Sequence, residues 1–361
     1  MTPNEAYEAL CTRVGFPGSN RLRVVLEDLL TPDQARMVAA LPASPADVAA
    51  LTGFPEQGVA EELNRLAYQG VVRPKGGLGR QEYFYFVRGI VELLDGTLGT
   101  MKRDITRDRP LFEHWHDFCI NEMYPALGKH WARVERPTTR IVPAYGAIKD
   151  LANVPPYENF RELMKAQSSF AVIPCPCRQR RAAVGEVCDY VEEAGGWHCM
   201  SFGSMADSVI ERGAGTKLSL DEVLELVDRV EKEGLLHTWV NSPAMTSEIS
   251  CQCCRDCCVA VAPLDAVGAS LAKMWAKSSF EAFVDPERCD GCQDCVVRCQ
   301  FEAITMVMPA SSANGARKSS KKLKAQIDPE NCWGCGLCVI ACDEADAIGF
   351  KQVRSMEAVP V

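Results

Sequence analysis

Five of the eight residues in CQCCRDCC, 251 to 258, are cysteines: Cys251, Cys253, Cys254, Cys257 and Cys258. Thiols at this density either pair as disulfides or bind metal. Disulfides suit the segment poorly, because Cys253/Cys254 and Cys257/Cys258 are adjacent pairs, which rarely reach bridge geometry. The chain holds 19 cysteines in 361 residues, and a chain of this length can bury a core without a disulfide scaffold. Metal-binding thiolates are therefore the expectation.

A second cysteine pattern is duplicated near the C-terminus. DPERCDGCQDCVVRCQFEAI (285–304) recurs as DPENCWGCGLCVIACDEADAI (328–348). Each copy carries C-x2-C-x2-C-x3-C: Cys289, Cys292, Cys295 and Cys299, then Cys332, Cys335, Cys338 and Cys342. Three thiolates two residues apart on a tight loop can wrap three corners of an iron–sulfur cube, with Gly291, Gly334 and Gly336 allowing close backbone approach. The fourth thiolate of such a run normally ligates the other copy's cluster. The expected sets are Cys289, Cys292, Cys295 and Cys342 for one [4Fe–4S] cluster, and Cys332, Cys335, Cys338 and Cys299 for the other. Structural zinc prefers separated C-x2-C knuckles with four ligands in total, which fits less well.

Over about residues 280–352 the sequence resembles the bacterial two-[4Fe–4S] ferredoxin family. It departs from that family in having Gln300 and Asp343 where proline usually follows the fourth cysteine, a change expected to act on loop shape and redox tuning. Between the copies, a Ser/Gly-rich stretch ends in five positive charges from Arg317 to Lys324. It is expected to be an exposed hairpin tip, or a docking patch for an acidic electron-transfer partner.

Upstream, Cys175, Cys177, Cys188 and Cys199 join the five thiols of CQCCRDCC to give nine candidate metal ligands. Cys251, Cys254 and Cys257 repeat the C-x2-C-x2-C spacing, with a fourth ligand to come from the CPC loop or from Cys188/Cys199. The alternative gives Cys175, Cys177, Cys188 and Cys199 one cluster, and four of the five downstream thiols another. Both partitions supply one or two further iron–sulfur clusters; structural zinc is the competing occupant. Arg178, Arg180 and Arg181 could stabilise thiolate charge or donate hydrogen bonds to sulfur, or form a solvated basic turn. His198 and His237 are possible ligands or proton donors.

The elements that must position these thiols alternate between strand and helix. Phe170 to Ile173 predicts a buried strand stopped by Pro174 and Pro176. KLSLDEVLELVDRVEKEG predicts an amphipathic helix capped by Ser219 and Glu222, with Leu220, Val223, Leu224 and Val227 inward and Gly234 ending it. GLLHTWVN predicts a second strand. This CPCR and CxCC arrangement ahead of a ferredoxin domain resembles multi-cluster ferredoxin-type proteins of anaerobic metabolism, over roughly 170–350. The resemblance implies electron exchange with an oxidoreductase partner and specifies no substrate.

Residues 33–90 are expected to form a winged helix, from three helices and a two-stranded wing. The third helix carries Glu56, Glu61 and Glu62 against Arg65, with Arg73, Lys75 and Arg80 in the wing, which disfavours nucleic-acid binding. Residues 108–131 predict a helix burying Phe112, Trp115, Phe118, Cys119 and Met123, with His114 and His116 at its flanks. Cys11 and Cys119 are expected to be core thiols.

The expected architecture is α+β and multidomain: a winged-helix-like domain over 1–100, a helical connection over 101–169, an α/β cysteine-rich module over 170–279 and a two-[4Fe–4S] ferredoxin-like domain over 280–361. A net charge of −9 argues against bulk nucleic-acid affinity. The N-terminus shows no signal-peptide pattern and no apolar run reaches about 18 residues. A soluble protein of a reducing cytoplasm is expected, with no membrane span. Nucleotide, flavin and hydrolase fingerprints are absent. These features together point to an electron-transfer component serving a redox partner rather than an independent enzyme. A catalytic iron–sulfur reductase centred on the middle module, and a redox-responsive DNA-binding regulator, are the alternatives.

Overall fold

The computed structural model describes residues 1–78, 82–191, 196–308 and 322–354. Two compact units are each assembled from separated stretches: Met1–Ala126 with Ala171–Lys217, and Leu127–Phe170 with Leu218–Val361. The cysteine-rich stretch 170–279 thus supplies residues to both. Among the described residues, no helix is long and apolar enough to cross a membrane.

In the first unit, helices Pro3–Arg13 and Asn20–Leu29 precede helices Pro32–Ala39, Pro45–Thr52 and Glu56–Gln69. Ser44 caps the fourth through a capping box with Asp47, and Pro45 opens it. Strands Val72–Pro74 and Phe84–Phe86 follow as an antiparallel pair. This is the order of helices and hairpin expected from the sequence; Arg80, at the expected wing tip, lies outside the described residues. The predicted 108–131 helix is interrupted by one π-helical turn, Cys119–Met123, between Arg109–Phe118 and Tyr124–Trp131. Phe112, Trp115, Phe118, Cys119 and Met123 are fully buried. Burial pushes the Cys11 and Cys119 thiols up to about 12, as inert core thiols require. Strands Thr216–Leu218, Phe170–Pro174 and Trp197–Phe202 lie side by side in that order.

The second unit carries strands Ile249–Cys253, Leu236–Val240, Thr139–Val142 and Trp275–Ala276 in that order. Helix Leu220–Glu233 has the Ser219/Glu222 capping box and a left-handed Gly234 cap. Its buried stripe is Val223, Leu226, Val227 and Val230, so Leu220 and Leu224 stand at the edge of the packed face. A 3.6-residue period selects i, i+3, i+4 and i+7, and tertiary packing decides which such set faces in.

The duplicated segment folds as two interlocked copies. Strand Phe280–Val284, which leads into the first copy, pairs antiparallel with Ile348–Gln352, which leaves the second. Ile304–Val307, leaving the first, pairs with Lys324–Ile327, entering the second. The N–H of Asp285 donates to the carbonyl of Ala347 at 2.7 Å, and that of Asp328 to Ala303 at 2.8 Å. Matching residues adopt matching left-handed conformations: Gly291 and Gly334, Gln293 and Gly336, Glu302 and Asp346. Each copy is therefore completed by the other.

Candidate metal centre

Interlocking decides which thiols meet. The Cys295 sulfur stands among those of Cys342, Cys292 and Cys289. Cys338 stands among Cys335, Cys332 and Cys299, and also has Cys295 beside it. The fourth cysteine of each run thus joins the other run's first three, and the two groups are neighbours.

The donor sets suit a cationic iron–sulfur core. Burial, followed by crowding from other thiols, pushes Cys295 up to about 11; burial likewise takes Cys335 to about 12. Four such groups cannot share one small volume as thiolates without a positive centre, and a bound metal supplies that charge and deprotonates them. Backbone N–H groups already point at several sulfurs: Ala303 to Cys299 at 3.4 Å, Ala347 to Cys342 at 3.4 Å and Ala325 to Cys289 at 3.5 Å. Hydrogen bonds of this kind stabilise sulfur-borne charge and tune cluster potentials. An apolar pocket is lined by Cys299, Cys332, Cys335 and Cys338 together with Phe301 and Trp333.

Gln300, at the usual proline position, is buried and bonded at both ends. Its Oε1 accepts from the N–H of Arg255 at 2.8 Å, and its Nε2 donates to the carbonyl of Gly234 at 2.5 Å. It ties the first copy to CQCCRDCC and to the end of helix Leu220–Glu233. Of the basic run from Arg317, residues 317–321 lie outside the described residues; Lys324 Nζ donates to the carbonyl of Cys289.

The five thiols of CQCCRDCC divide in a way the C-x2-C-x2-C spacing does not suggest. Cys251 and Cys253 lie on strand Ile249–Cys253, whose side chains alternate between faces. Cys253 is within hydrogen-bonding reach of Cys251 and of Cys258, the latter at 3.4 Å between sulfurs. Those contacts and burial raise its thiol well above the ordinary cysteine range. Cys254, Cys257 and Asp256 form a separate group, with ligand atoms within 4.8 Å of one another and the Cys257 thiol donating to Asp256 at 3.2 Å.

Between Cys251 and Cys253, Gln252 points to the opposite face, where His237 sits directly across the strand pair. His237 Nδ1 meets Gln252 Oε1, and its Nε2 lies 3.2 Å from Glu231 Oε1. Gln252 Nε2 donates to Ser250 Oγ, which fixes the amide with its oxygen toward the ring. Phe160 stacks on the imidazole at 4.0 Å between centroids. Both ring nitrogens are thus engaged by side-chain oxygens of the protein, and His237 is a packed strut rather than a ligand. No sequence signal beyond strand alternation pointed to this chain of contacts.

In the first unit, Cys175 closes strand Phe170–Pro174, Cys177 sits in the first turn of helix Pro176–Ala183, and Cys199 lies on strand Trp197–Phe202. Hydrogen bonds from Cys177 and Cys199, aided by the Arg178 guanidinium, hold the Cys175 thiol well below the ordinary range despite its burial. Cys188 is half-buried in the loop between. Arg178 and Arg180 are buried at 2% exposure, which excludes a solvated basic turn for these two. Arg178 reaches His198 Nδ1 at 3.4 Å. Arg180 donates to His116 Nδ1 at 2.8 Å and to the Tyr124 hydroxyl at 2.7 Å. A guanidinium can only donate, so His116 accepts at Nδ1; burial and Arg180 accordingly hold its pKa down. Arg181 pairs with Glu186 at 2.8 Å, and His114 with Asp28 at 2.6 Å.

No curated protein and no solved structure matches the chain. Residues 288–345 match the family model of the 4Fe-4S dicluster domain, so the C-terminal segment is a ferredoxin-type iron–sulfur module.

Proposed function

We propose that the protein is an iron–sulfur electron-transfer protein or subunit, passing single electrons to or from a partner oxidoreductase. The observation that carries this reading is the crossed grouping of eight thiols on a duplicated backbone within a 4Fe-4S dicluster segment. Cys289, Cys292, Cys295 and Cys342 would hold one [4Fe–4S] cluster, and Cys332, Cys335, Cys338 and Cys299 the other. Such clusters supply one-electron oxidation and reduction. The chain's own contribution is to hold the thiolates, exclude water from the second set and aim N–H groups at sulfur.

One or two further clusters are assigned to the middle stretch, on Cys175, Cys177, Cys188 and Cys199 and on the thiols of CQCCRDCC. The protein works in a reducing compartment, where these thiols stay available. The N-terminal helices and hairpin serve as a structural or protein-docking element: on helix Glu56–Gln69, Glu62 is already paired with Arg65 at 2.5 Å, and the remaining acidic side chains repel a phosphate backbone.

Iron and acid-labile sulfide determination on anaerobically purified full-length protein, with Mössbauer and EPR spectra, tests the proposal. At least about eight irons per chain in two [4Fe–4S] centres that accept one electron each are expected. Zinc in the C-terminal segment, or clusters that take up no electron, would overturn it.

A further inference from the structure

We infer that Cys251, Cys253 and Cys258 form a three-thiolate centre for an additional iron–sulfur cluster, separate from Cys254 and Cys257 and seated against the Cys332 group. The inference deepens the proposed function and rests on it only for the identity of the neighbouring centre.

Three observations carry it. The strand's alternation places Cys251 and Cys253 on one face, and the turn that follows brings Cys258 back to 3.4 Å from Cys253. Cys253 and Cys258 are buried, and the N–H of Ala260 points at the Cys258 sulfur at 3.4 Å, the same device used at Cys299 and Cys342. Lastly, one packed cluster contains Cys251, Cys253 and Cys258 together with Cys299 and Cys335. Phe301 and Trp333 stack within it at 5.1 Å, and Trp275 meets Phe301 edge-on at 6.4 Å.

Cys254 and Cys257, the other two thiols of CQCCRDCC, group instead with Asp256. Transfer of a preformed cluster exchanges three of its carrier's ligands for the three thiolates, forming three iron–sulfur bonds, returning the carrier's ligands and releasing the three thiol protons to solvent with no change of oxidation state. The fourth iron corner takes its ligand from outside the trio. Gln300, bonded to the Arg255 N–H inside the same segment, fixes this centre relative to the dicluster module.

The test compares anaerobic full-length protein with Cys253→Ser and with the double variant Cys251→Ser/Cys258→Ser. Iron should fall by about four atoms, one cluster, while the dicluster spectra persist and the reduced Cys332-group signal, left with the Cys289-group cluster alone as a magnetic neighbour, relaxes more slowly. Unchanged iron overturns the inference. Should the variants fail to fold, anomalous scattering at the iron edge from crystals of the unsubstituted holoprotein decides: iron bonded to the three sulfurs supports it, whereas zinc there, or a Cys253–Cys258 disulfide, refutes it. Absence of the dicluster clusters in unsubstituted protein would instead defeat the proposed function, and the wild-type-minus-variant iron difference would still report on this site.

Discussion

The two copies of the cysteine run share a backbone and differ in what surrounds it. In the first, Asp290, Gln293, Asp294 and Arg298 fill the intervening positions, Cys292 is exposed and Val297 is 80% exposed. In the second, the corresponding residues are Trp333, Gly336, Leu337 and Ala341, and Trp333 and Leu337 are buried. At the left-handed position after the second cysteine, Gly336 lies so close to Ala147 that an added Cβ would sit 2.5 Å from the Ala147 Cβ. Gln293 occupies the same conformation at φ 77° with a full side chain. One scaffold thus presents a thiol set with one exposed member, Cys292, and a second set with none, a division that would suit a relay with one end at the surface.

Variants that exchange the two environments test this contrast. Cys335→Ser should remove the inner cluster, about half of the dicluster iron, and with it the fold of the second unit, because a buried metal site contributes its binding energy to folding. Cys292→Ser should lose iron from the outer cluster alone and leave a folded chain; iron analysis with circular dichroism separates the cases, and equal behaviour would break the comparison. Trp333→Asp should cost about 3–5 kcal/mol or more, since it deletes a packed aromatic and buries a charge, whereas Asp290→Trp at the exposed counterpart should stay within about 0.5 kcal/mol. For a unit of this size the former amounts to roughly 6–20 °C in Tm by calorimetry, at about 2–4 °C per kcal/mol.

Gln300→Ala should cost about 1–3 kcal/mol, because it strands the buried Gly234 carbonyl and the half-buried Arg255 N–H. Asp343 in the other copy is exposed and accepts from the adjacent Glu344 N–H at 2.9 Å, a bond that water replaces, so Asp343→Ala should scarcely move Tm. At the paired left-handed positions the effects are opposite in sign. Gly336→Ala should destabilise by about 1–3 kcal/mol through its left-handed backbone and the Ala147 contact, while Gln293→Gly should stabilise by up to about 1 kcal/mol by relieving the same conformation. A pair of Tm shifts in the same direction would show that the two loops are not the equivalent structures described above.

Much of the local structure was legible in advance because it depends on short-range chemistry. Ser44 with Pro45, Ser219 with Glu222, and Gly234 mark helix ends through hydrogen bonds within a few residues, and all three stand where the sequence puts them. The internal repeat was legible for a related reason: like residues in like order adopt like conformations, down to Glu302 and Asp346. The division of CQCCRDCC was not. Spacing in threes suggested a loop triplet of Cys251, Cys254 and Cys257, but strand pairing of 236–240 with 249–253 imposes a period of two and sends Gln252 toward His237. The use of Gln300 was hidden likewise, because its partners Gly234 and Arg255 are 66 and 45 residues away.

By itself, then, the sequence determined the cysteine-run spacing, the helix caps, the strand periodicity and the duplicated motif, all of which act over a few residues. Only the tertiary structure decided that residues 170–217 pack with the N-terminal helices, that Arg178 and Arg180 are buried beside Cys175 and His116, and which thiols of CQCCRDCC meet. Those outcomes depend on which distant segments exclude water together, and burial is a property of the assembled chain.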